Sequence, residues 1–478
     1  MSEAGDAPAA NPAKLSDARQ RLVARFLTAV RDDQLARAQT MLDAEPMLVH
    51  DSILIAAAVG DAGVVRTFLA ADTSLATDTI PPDHTEPIIY AVYAGLKRAL
   101  GVTIDAQLDV VRALLDAGAS ANASVPLPDV SDRIPVLYFP CVANAVAVAR
   151  LLLERGANPT DGESVYHAAQ HDHRECLTLL QEFGADLSRG PAQFGNTPLH
   201  FLAAHRATNP LSPKVVRGMQ WLLEHGADPN VASYGAHQGH PQARTGETPL
   251  QRAAASGHGE PVMRMLVLHG ADISARRADG AAAYALAVRA GNASAAEYLA
   301  SVGADSTLLT PIDQLLGACA TVDEASARAI AAAHPGIIDT LLPAEREALG
   351  LAVTDDRLDV VQLMVSLGWP LTQEGEWGGT PLHWAAWNGR VAMVTLLLAH
   401  GAPVNLRDTR YGSSPVGWVS HGSLHCDRGN DADYPAIVHL LLDAGATRAE
   451  SYNQWNESPE SMARPSVVLA LKERGFTD

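Results

Sequence analysis

Apolar and polar positions along this chain fall into short blocks that close in the same way. The clearest block is 379–405, GTPLHWAAWNGRVAMVTLLLAHGAPVN. Thr380-Pro381 is a helix-start signal, because proline at the first helical position gives up only an amide that would lack a partner anyway. The pattern predicts a first helix from Leu382 to Trp387, broken by Asn388-Gly389. A second follows from Val391 to His400, with Met393, Val394, Leu396 and Leu397 along one apolar stripe. Gly401 stops it, since glycine reaches the left-handed conformation common at helix C-termini. Isolated helices shorter than about a dozen residues are marginal in water. Each must therefore bury its stripe against a neighbour.

The neighbours are copies. The closing signature recurs as LLDAGAS at 114–120, LLERGAN at 152–158, LQEFGAD at 180–186, LLEHGAD at 222–228, LVLHGAD at 266–272, LASVGAD at 299–305, LLAHGAP at 397–403 and LLDAGAT at 441–447. The start recurs as Thr197-Pro198-Leu199-His200, Thr248-Pro249-Leu250 and Thr380-Pro381-Leu382-His383. A period of about 33 residues means a stack of similar units, with one long binding face in place of a single cleft.

These motifs resemble the ankyrin repeat in a long array of the bacterial type. The match is strong at 196–228, 247–272 and 379–405, and recognisable at 52–76, 108–122, 148–158, 163–186, 280–305, 344–369 and 413–446. Weaker copies fall at 16–49 and 310–338, where Glu45-Pro46 and His334-Pro335 replace Gly-Ala. About twelve units result. The resemblance implies an all-α solenoid of stacked helix-turn-helix units with finger loops. It also implies a protein partner, held by the concave helices and the fingers.

Composition fits thin layers: 47% of residues are hydrophobic but only 5% aromatic, so alanine and leucine do the packing. The net charge is −19, and Lys14, Lys97, Lys214 and Lys472 are the only lysines. Phosphate neutralisation dominates nucleic-acid affinity, so this balance argues against DNA or RNA and is compatible with a basic protein partner. The arginine-over-lysine bias is that of a GC-rich bacterial coding sequence. No charged-then-apolar leader is visible, and the apolar run Ile53 to Ala71 is broken by Asp61 and Arg66, so no membrane span is expected. Cys141, Cys176, Cys319 and Cys426 form no Cys-x-x-Cys pair. A cytoplasmic monomer is the expectation.

A flexible tail is expected at 1–15, an N-terminal array at 16–305, a degenerate repeat or joint at 306–345, a C-terminal array at 346–450 and a capping helix at 451–478. Extra residues at 96–107, 206–212, 231–246 and 420–435 should emerge as loops. The segment 231–246 lengthens a finger, whereas 206–212 and 420–435 interrupt the turn between paired helices. The stretch 306–345 lacks both signatures and carries Pro311, Pro335 and Pro343. It reads either as a softer joint or as a degenerate, well-packed unit.

Five of the seven tryptophans, Trp369, Trp377, Trp384, Trp387 and Trp418, lie close together. Aligning 380–389 with 414–423 sets Trp384 beside Trp418 and Trp387 beside His421. Trp384 and Trp418 take a core position, while Trp387 and His421 take the position facing the groove. Tryptophan is enriched at binding hot spots, so Trp387, His421 and Trp377 on the adjacent finger are candidate partner contacts, with His237 and His240 on the 231–246 finger. The competing reading has the 420–435 insertion folding back over Trp387.

That insertion also carries His421, His425, Cys426 and Asp427, donors compatible with a transition metal, although no recognised ligand spacing is present. His167, His171 and His173 read as packed or hydrogen-bonded histidines. His225, His269 and His400 end second helices, where polar side chains meet terminal carbonyls. No phosphate loop, His-Glu-x-x-His, Gly-x-Ser-x-Gly or Gly-x-Gly-x-x-Gly occurs. The sequence therefore reads as a non-catalytic protein-binding scaffold without cofactor. Two rivals stay open: an enzyme or metal or small-molecule binder built on His421, His425, Cys426 and Asp427, and an immunity or inhibitor protein for a basic effector.

Overall fold

The computed structural model describes residues 15–32, 34–79, 84–93, 95, 99–126, 133–190, 195–205, 212–233, 246–375, 378–426 and 428–476. The tail expected at 1–15 lies outside them except for Leu15. The chain divides into two compact units, Met1–Val231 and Ala232–Asp478. The division falls where the 231–246 insertion begins, and residues 306–345 lie inside the second unit.

Among the described residues the first unit holds six helix pairs, from Asp17–Arg31 with Leu35–Ala44 to Pro198–Ala204 with Pro213–Glu224. The second holds six more, from Pro249–Ala255 with Glu260–Leu268 to Pro415–His425 with Asp433–Asp443, and closes on the helix Pro465–Glu473. Within each unit most first helices of successive pairs pack on one another, as Pro381–Trp387 does on Pro415–His425. One finger is a small antiparallel ladder in which Ser124–Pro126 faces Arg133–Pro135.

The helix starts share one device. In the helix Pro381–Trp387, the Nδ1 of His383 accepts from the Thr380 amide at 3.2 Å and meets its Oγ1 at 2.8 Å. His200 does the same for Thr197, at 3.2 and 2.9 Å. Other residues fill the same third position elsewhere: Gln251 accepts from Thr248 N at 2.8 Å, Asp313 from Thr310 N at 2.7 Å and Glu345 from Leu342 N at 2.9 Å. Where Thr197, Thr248 or Thr310 is the N-cap the bond is reciprocal, while at Leu342 only the Glu345 half is present; in both forms the cap satisfies amides that the helix leaves bare. Residues 306–345 thus hold complete helices, Pro311–Ala320, Glu324–Ala333 and the start of Pro343–Thr354, with Thr310-Pro311 as a variant start signal.

The histidines before Gly-Ala turn back on their own helices. Nδ1 of His225, His269 and His400 meets the carbonyl four residues earlier at 2.7, 2.8 and 2.9 Å. Layers are also tied through fingers. Asn122 donates to Gly156 O and accepts from Asn158 N, both at 2.8 Å, and Asn405 does likewise with Gly445 O and Thr447 N at 2.9 and 2.7 Å.

The second unit contains a buried charge ladder that the repeat pattern does not announce. Glu247 is fully buried and takes Arg277 and Arg252, both at 2.8 Å. Arg277 also holds Asp279 at 2.8 Å, and Arg289 reaches Asp279 at 3.7 Å, Asp313 at 2.5 Å and Glu345 at 3.1 Å. Four successive layers are stapled this way. Buried charges persist only when paired and hydrogen-bonded. Burial opposes ionisation of Asp279, but hydrogen bonds and charge from Arg277, the Ala281 amide and Arg289 together hold its pKa below the usual carboxylate range.

The insertions behave differently from expectation. Residues 104–107 belong to the helix Ile104–Asp116, so only part of 96–107 is extra. At 420–435 the turn is not simply interrupted: residues through His425 prolong the first helix, and the second starts at Asp433. The extension is tolerated because Gly422 lies against the preceding layer, where a Cβ would come within 2.5 Å of Trp387 O. Residues 206–211 and 234–245 lie outside the described residues.

Candidate functional site

The candidate surface is built on the helices Pro381–Trp387 and Pro415–His425. Their registers place Trp384 and Trp418 edge to face, with ring centroids 5.1 Å apart. Trp387 stands 5.4 Å from His421 and 6.0 Å from Trp418. Trp418 is the buried centre of this set. A Cβ on Gly379 would lie 2.6 Å from its Cη2, so the indole occupies space that only glycine leaves. Its Nε1–H donates to Asp408 Oδ2 at 2.9 Å.

Asp408 is itself buried and organises the finger. It accepts from the amides of Arg410 (2.9 Å), Tyr411 (2.5 Å) and Ser413 (2.9 Å). Tyr411, so placed, lies 6.1 Å from Trp418 and 6.3 Å from Trp455, which is 50% exposed. Asp408, Tyr411 and Trp455 are absent from the sequence-based candidates.

Trp384 and Trp387 are half-buried, so each presents part of its ring to solvent. The backbone of Trp387 is covered, since the buried Tyr434 donates its hydroxyl to Trp387 O at 3.2 Å. The insertion therefore covers the main chain of Trp387 while its ring reaches the exposed His421 and the layer beyond. Trp369 goes elsewhere: it is buried, and its Nε1–H donates to Arg346 O at 3.4 Å. Trp377, His237 and His240 lie outside the described residues.

His421 and His425 are exposed, one helical turn apart, with ring centroids at 4.4 Å. Partial burial, then the charge of His425, lowers the His421 pKa, with Glu457 opposing. Cys426 is buried and its thiol donates to Asn388 Oδ1 at 3.7 Å, so it serves the core. Asp427 lies outside the described residues. Among the described residues no group of three or more histidine, cysteine, aspartate or glutamate side chains is placed to hold a metal ion. No helix there is long and apolar enough to cross a membrane.

The histidines of the first unit are local fasteners. His173 Nδ1 meets Cys141 O of the preceding layer at 3.0 Å. His167 bonds Gln170 on its own helix at 2.9 Å, not a neighbouring layer directly.

Against known proteins, a model described as "Ankyrin repeats (3 copies)" matches residues 219–309 and 327–408, and one described as "Ankyrin repeat" matches 194–234. The chain is 32% identical over 196 residues to the "Ankyrin repeat protein nuc-2" of Neurospora crassa, covering 38% of this chain and 16% of that protein. It is 45% identical over 58 residues to the human "Palmitoyltransferase ZDHHC13", covering 12% of this chain and 9% of that one. It thus spans well under a fifth of either relative's length. The crystal structure of the human ASB11 ankyrin repeat domain superposes on 52% of this chain and 96% of that one, at 22% identity and a TM-score of 0.37. With helix pairs stacked in register and the repeat models matched over 194–309 and 327–408, this chain carries ankyrin repeats and folds as an all-α ankyrin-repeat solenoid.

Proposed function

We propose that this chain is a non-catalytic scaffold, a cytoplasmic monomer that holds a protein partner on the first-helix face and fingers around Trp387. Ankyrin repeats generally mediate protein–protein interaction, and here one observation supports a specific place. Trp384, Trp387 and Trp455 keep solvent-facing ring surface above a rigid base formed by Trp418 and Asp408. Large exposed aromatics cost free energy unless something covers them, and a preformed base lowers the ordering cost of association. His421 sits beside Trp387 as the polar rim. Trp377, His237 and His240 enter this proposal from their sequence positions alone.

The test is affinity capture from the native host with the wild type and with Trp387→Ala and Trp377→Ala. Loss of the captured protein with little change in thermal unfolding supports the reading. Unaltered capture, or collapse of the fold, removes it. The net charge of −19 favours a basic partner, and an inhibitor of a basic effector would show fast, salt-sensitive association. Metal analysis of protein purified without chelator separates the rival built on His421, His425, Cys426 and Asp427.

A further inference from the structure

We infer that His421 and His425 form a two-ligand site for a divalent transition ion of the nickel, copper and zinc class, at the exposed end of the helix Pro415–His425. The pair is what remains once the structure has sorted the described donors of the 420–435 insertion. Cys426 is buried and spends its thiol on Asn388 Oδ1. His421 and His425 stay exposed, and a spacing of four residues sets both on one face of the helix.

Two features separate this pair from the histidines that hold the layers together. Those of the start motif and of the helix ends, His200, His383, His225, His269 and His400, each commit Nδ1 to a hydrogen bond. The rings of His421 and His425 instead meet Trp387, one another and the charge of Glu457. None of these contacts among the described residues is a hydrogen bond, so the ring nitrogens are free to bind. The second feature is the separation of the rings, whose centroids lie 4.4 Å apart. Two imidazoles bound side by side to one ion, each through a nitrogen at about 2.1 Å, hold their ring centres about 4.5–5 Å apart. The pair therefore sits near the chelating separation before any ion arrives.

The donors select the ion. Neutral imidazole suits nickel, copper and zinc, whereas magnesium and calcium require oxygen ligands. The Glu457 carboxylate favours a cation at His421 through its charge. It accepts from Asn453 Nδ2 at 2.6 Å, and among the described residues it joins no group of three donors. Two protein ligands leave at least two positions of a four-coordinate ion open. A side chain of an incoming protein completes the ion there, beside Trp387. That completion depends on the partner surface proposed above; the metal site does not.

The probe is Ni²⁺ alone, titrated calorimetrically into the full chain at about pH 8, where an ordinary histidine is neutral. A single ion should bind and quench tryptophan fluorescence, because Trp387 stands 5.4 Å from His421. His421→Gln and His425→Gln should each weaken binding at least about tenfold, since one imidazole alone loses the effective concentration of the second. Both side chains are exposed, so either variant should keep the wild-type urea midpoint. Cys426→Ser should bind Ni²⁺ as the wild type does, and so should His171→Gln, whose ring stacks on His173 in the first unit. Trp387→Ala, which tests the partner surface, should keep the affinity and lose part of the quenching. Wild-type affinity in His425→Gln overturns the proposal. Equal weakening by His171→Gln overturns it too, as an adventitious ion shared among surface histidines. Binding lost in Cys426→Ser with the fold intact replaces the pair with the larger donor set.

Discussion

The indole N–H of Trp418 and Oδ2 of Asp408 form a 2.9 Å hydrogen bond inside the second unit, although one residue belongs to a helix and the other to a finger. That bond couples the two parts of the candidate surface. Removing Asp408 strands the indole donor and three finger amides. Each buried polar group left unpaired costs about 1–3 kcal/mol. Asp408→Ala should destabilise the second unit by about 3 kcal/mol and loosen Tyr411, whereas Trp387→Ala should cost less than about 1 kcal/mol. Urea unfolding followed by tryptophan fluorescence checks the first, and a near-wild-type midpoint for Asp408→Ala would dismiss the coupling.

The charge ladder makes a second prediction. Arg289 touches Asp279, Asp313 and Glu345 together. Replacing it with methionine leaves buried carboxylates unmatched, and breaking a buried pair from one side costs about 3–5 kcal/mol. Arg289→Met should therefore unfold the second unit at markedly lower urea. The lowered pKa of Asp279 adds a sign: its contribution is present above the unfolded value of about 3.9 and is lost as pH falls through the folded value. Acid titration of the wild type should show this loss below about pH 4. If Arg289→Met unfolds like the wild type, the ladder is not what holds these layers.

The helix pairs were legible because Thr-Pro and Gly-Ala are local signals, each acting within a few residues. The stretch 306–345 looked degenerate because it lacks both signatures, yet Asp313 and Glu345 stand at the histidine's place in the start motif and accept from the Thr310 and Leu342 amides. The ladder was hidden for a different reason: Arg289 and Glu345 are two layers apart, and only the stacking brings them to 3.1 Å. Trp384 beside Trp418 and Trp387 beside His421 followed from aligning two neighbouring copies, since layers repeat in register. Asp408 and Trp455 lay outside that alignment, on a finger and beyond the last full pair, where the repeat offers no template.

The turn between paired helices makes a third prediction. The residue just before the N-cap of the second helix is left-handed in several layers: Gly389 has φ 67°, Asp356 59° and Val322 58°. A β-branched residue there is disfavoured, because left-handed backbone costs an L-residue about 1–2 kcal/mol. Val322 is partly exposed and contributes no core packing to offset that strain. Val322→Gly should raise stability by about 1 kcal/mol despite the entropy glycine loses on folding. A lowered unfolding midpoint for the variant would show that the turn is not strained.

The deepest test of the cap lies at His383. Burial drives its pKa down to about 4, while the Asp408 charge and the Ser413 carbonyl pull the other way without winning. The ring is therefore neutral when folded, with Nδ1 accepting from Thr380 N and Nε2 donating to Ser413 O at 3.1 Å. An unfolded chain takes up a proton near pH 6.5, so it binds more protons than the folded chain between there and about pH 4, and stability falls as pH falls through that window. The full effect is on the order of 3 kcal/mol, at 1.36 kcal/mol per pKa unit. Gln251 shows what can replace the ring: its Oε1 takes the Thr248 amide, and its Nε2 donates across the layer to Ala275 O at 2.7 Å and Ala281 O at 3.1 Å. His383→Gln should therefore keep both bonds, hold stability near the wild type at neutral pH, and flatten the decline between pH 6.5 and 4 measured by urea unfolding at several pH values. If the decline persists undiminished in the variant, the sensitivity belongs to other groups, and the neutral buried ring does not set the acid limit of this layer.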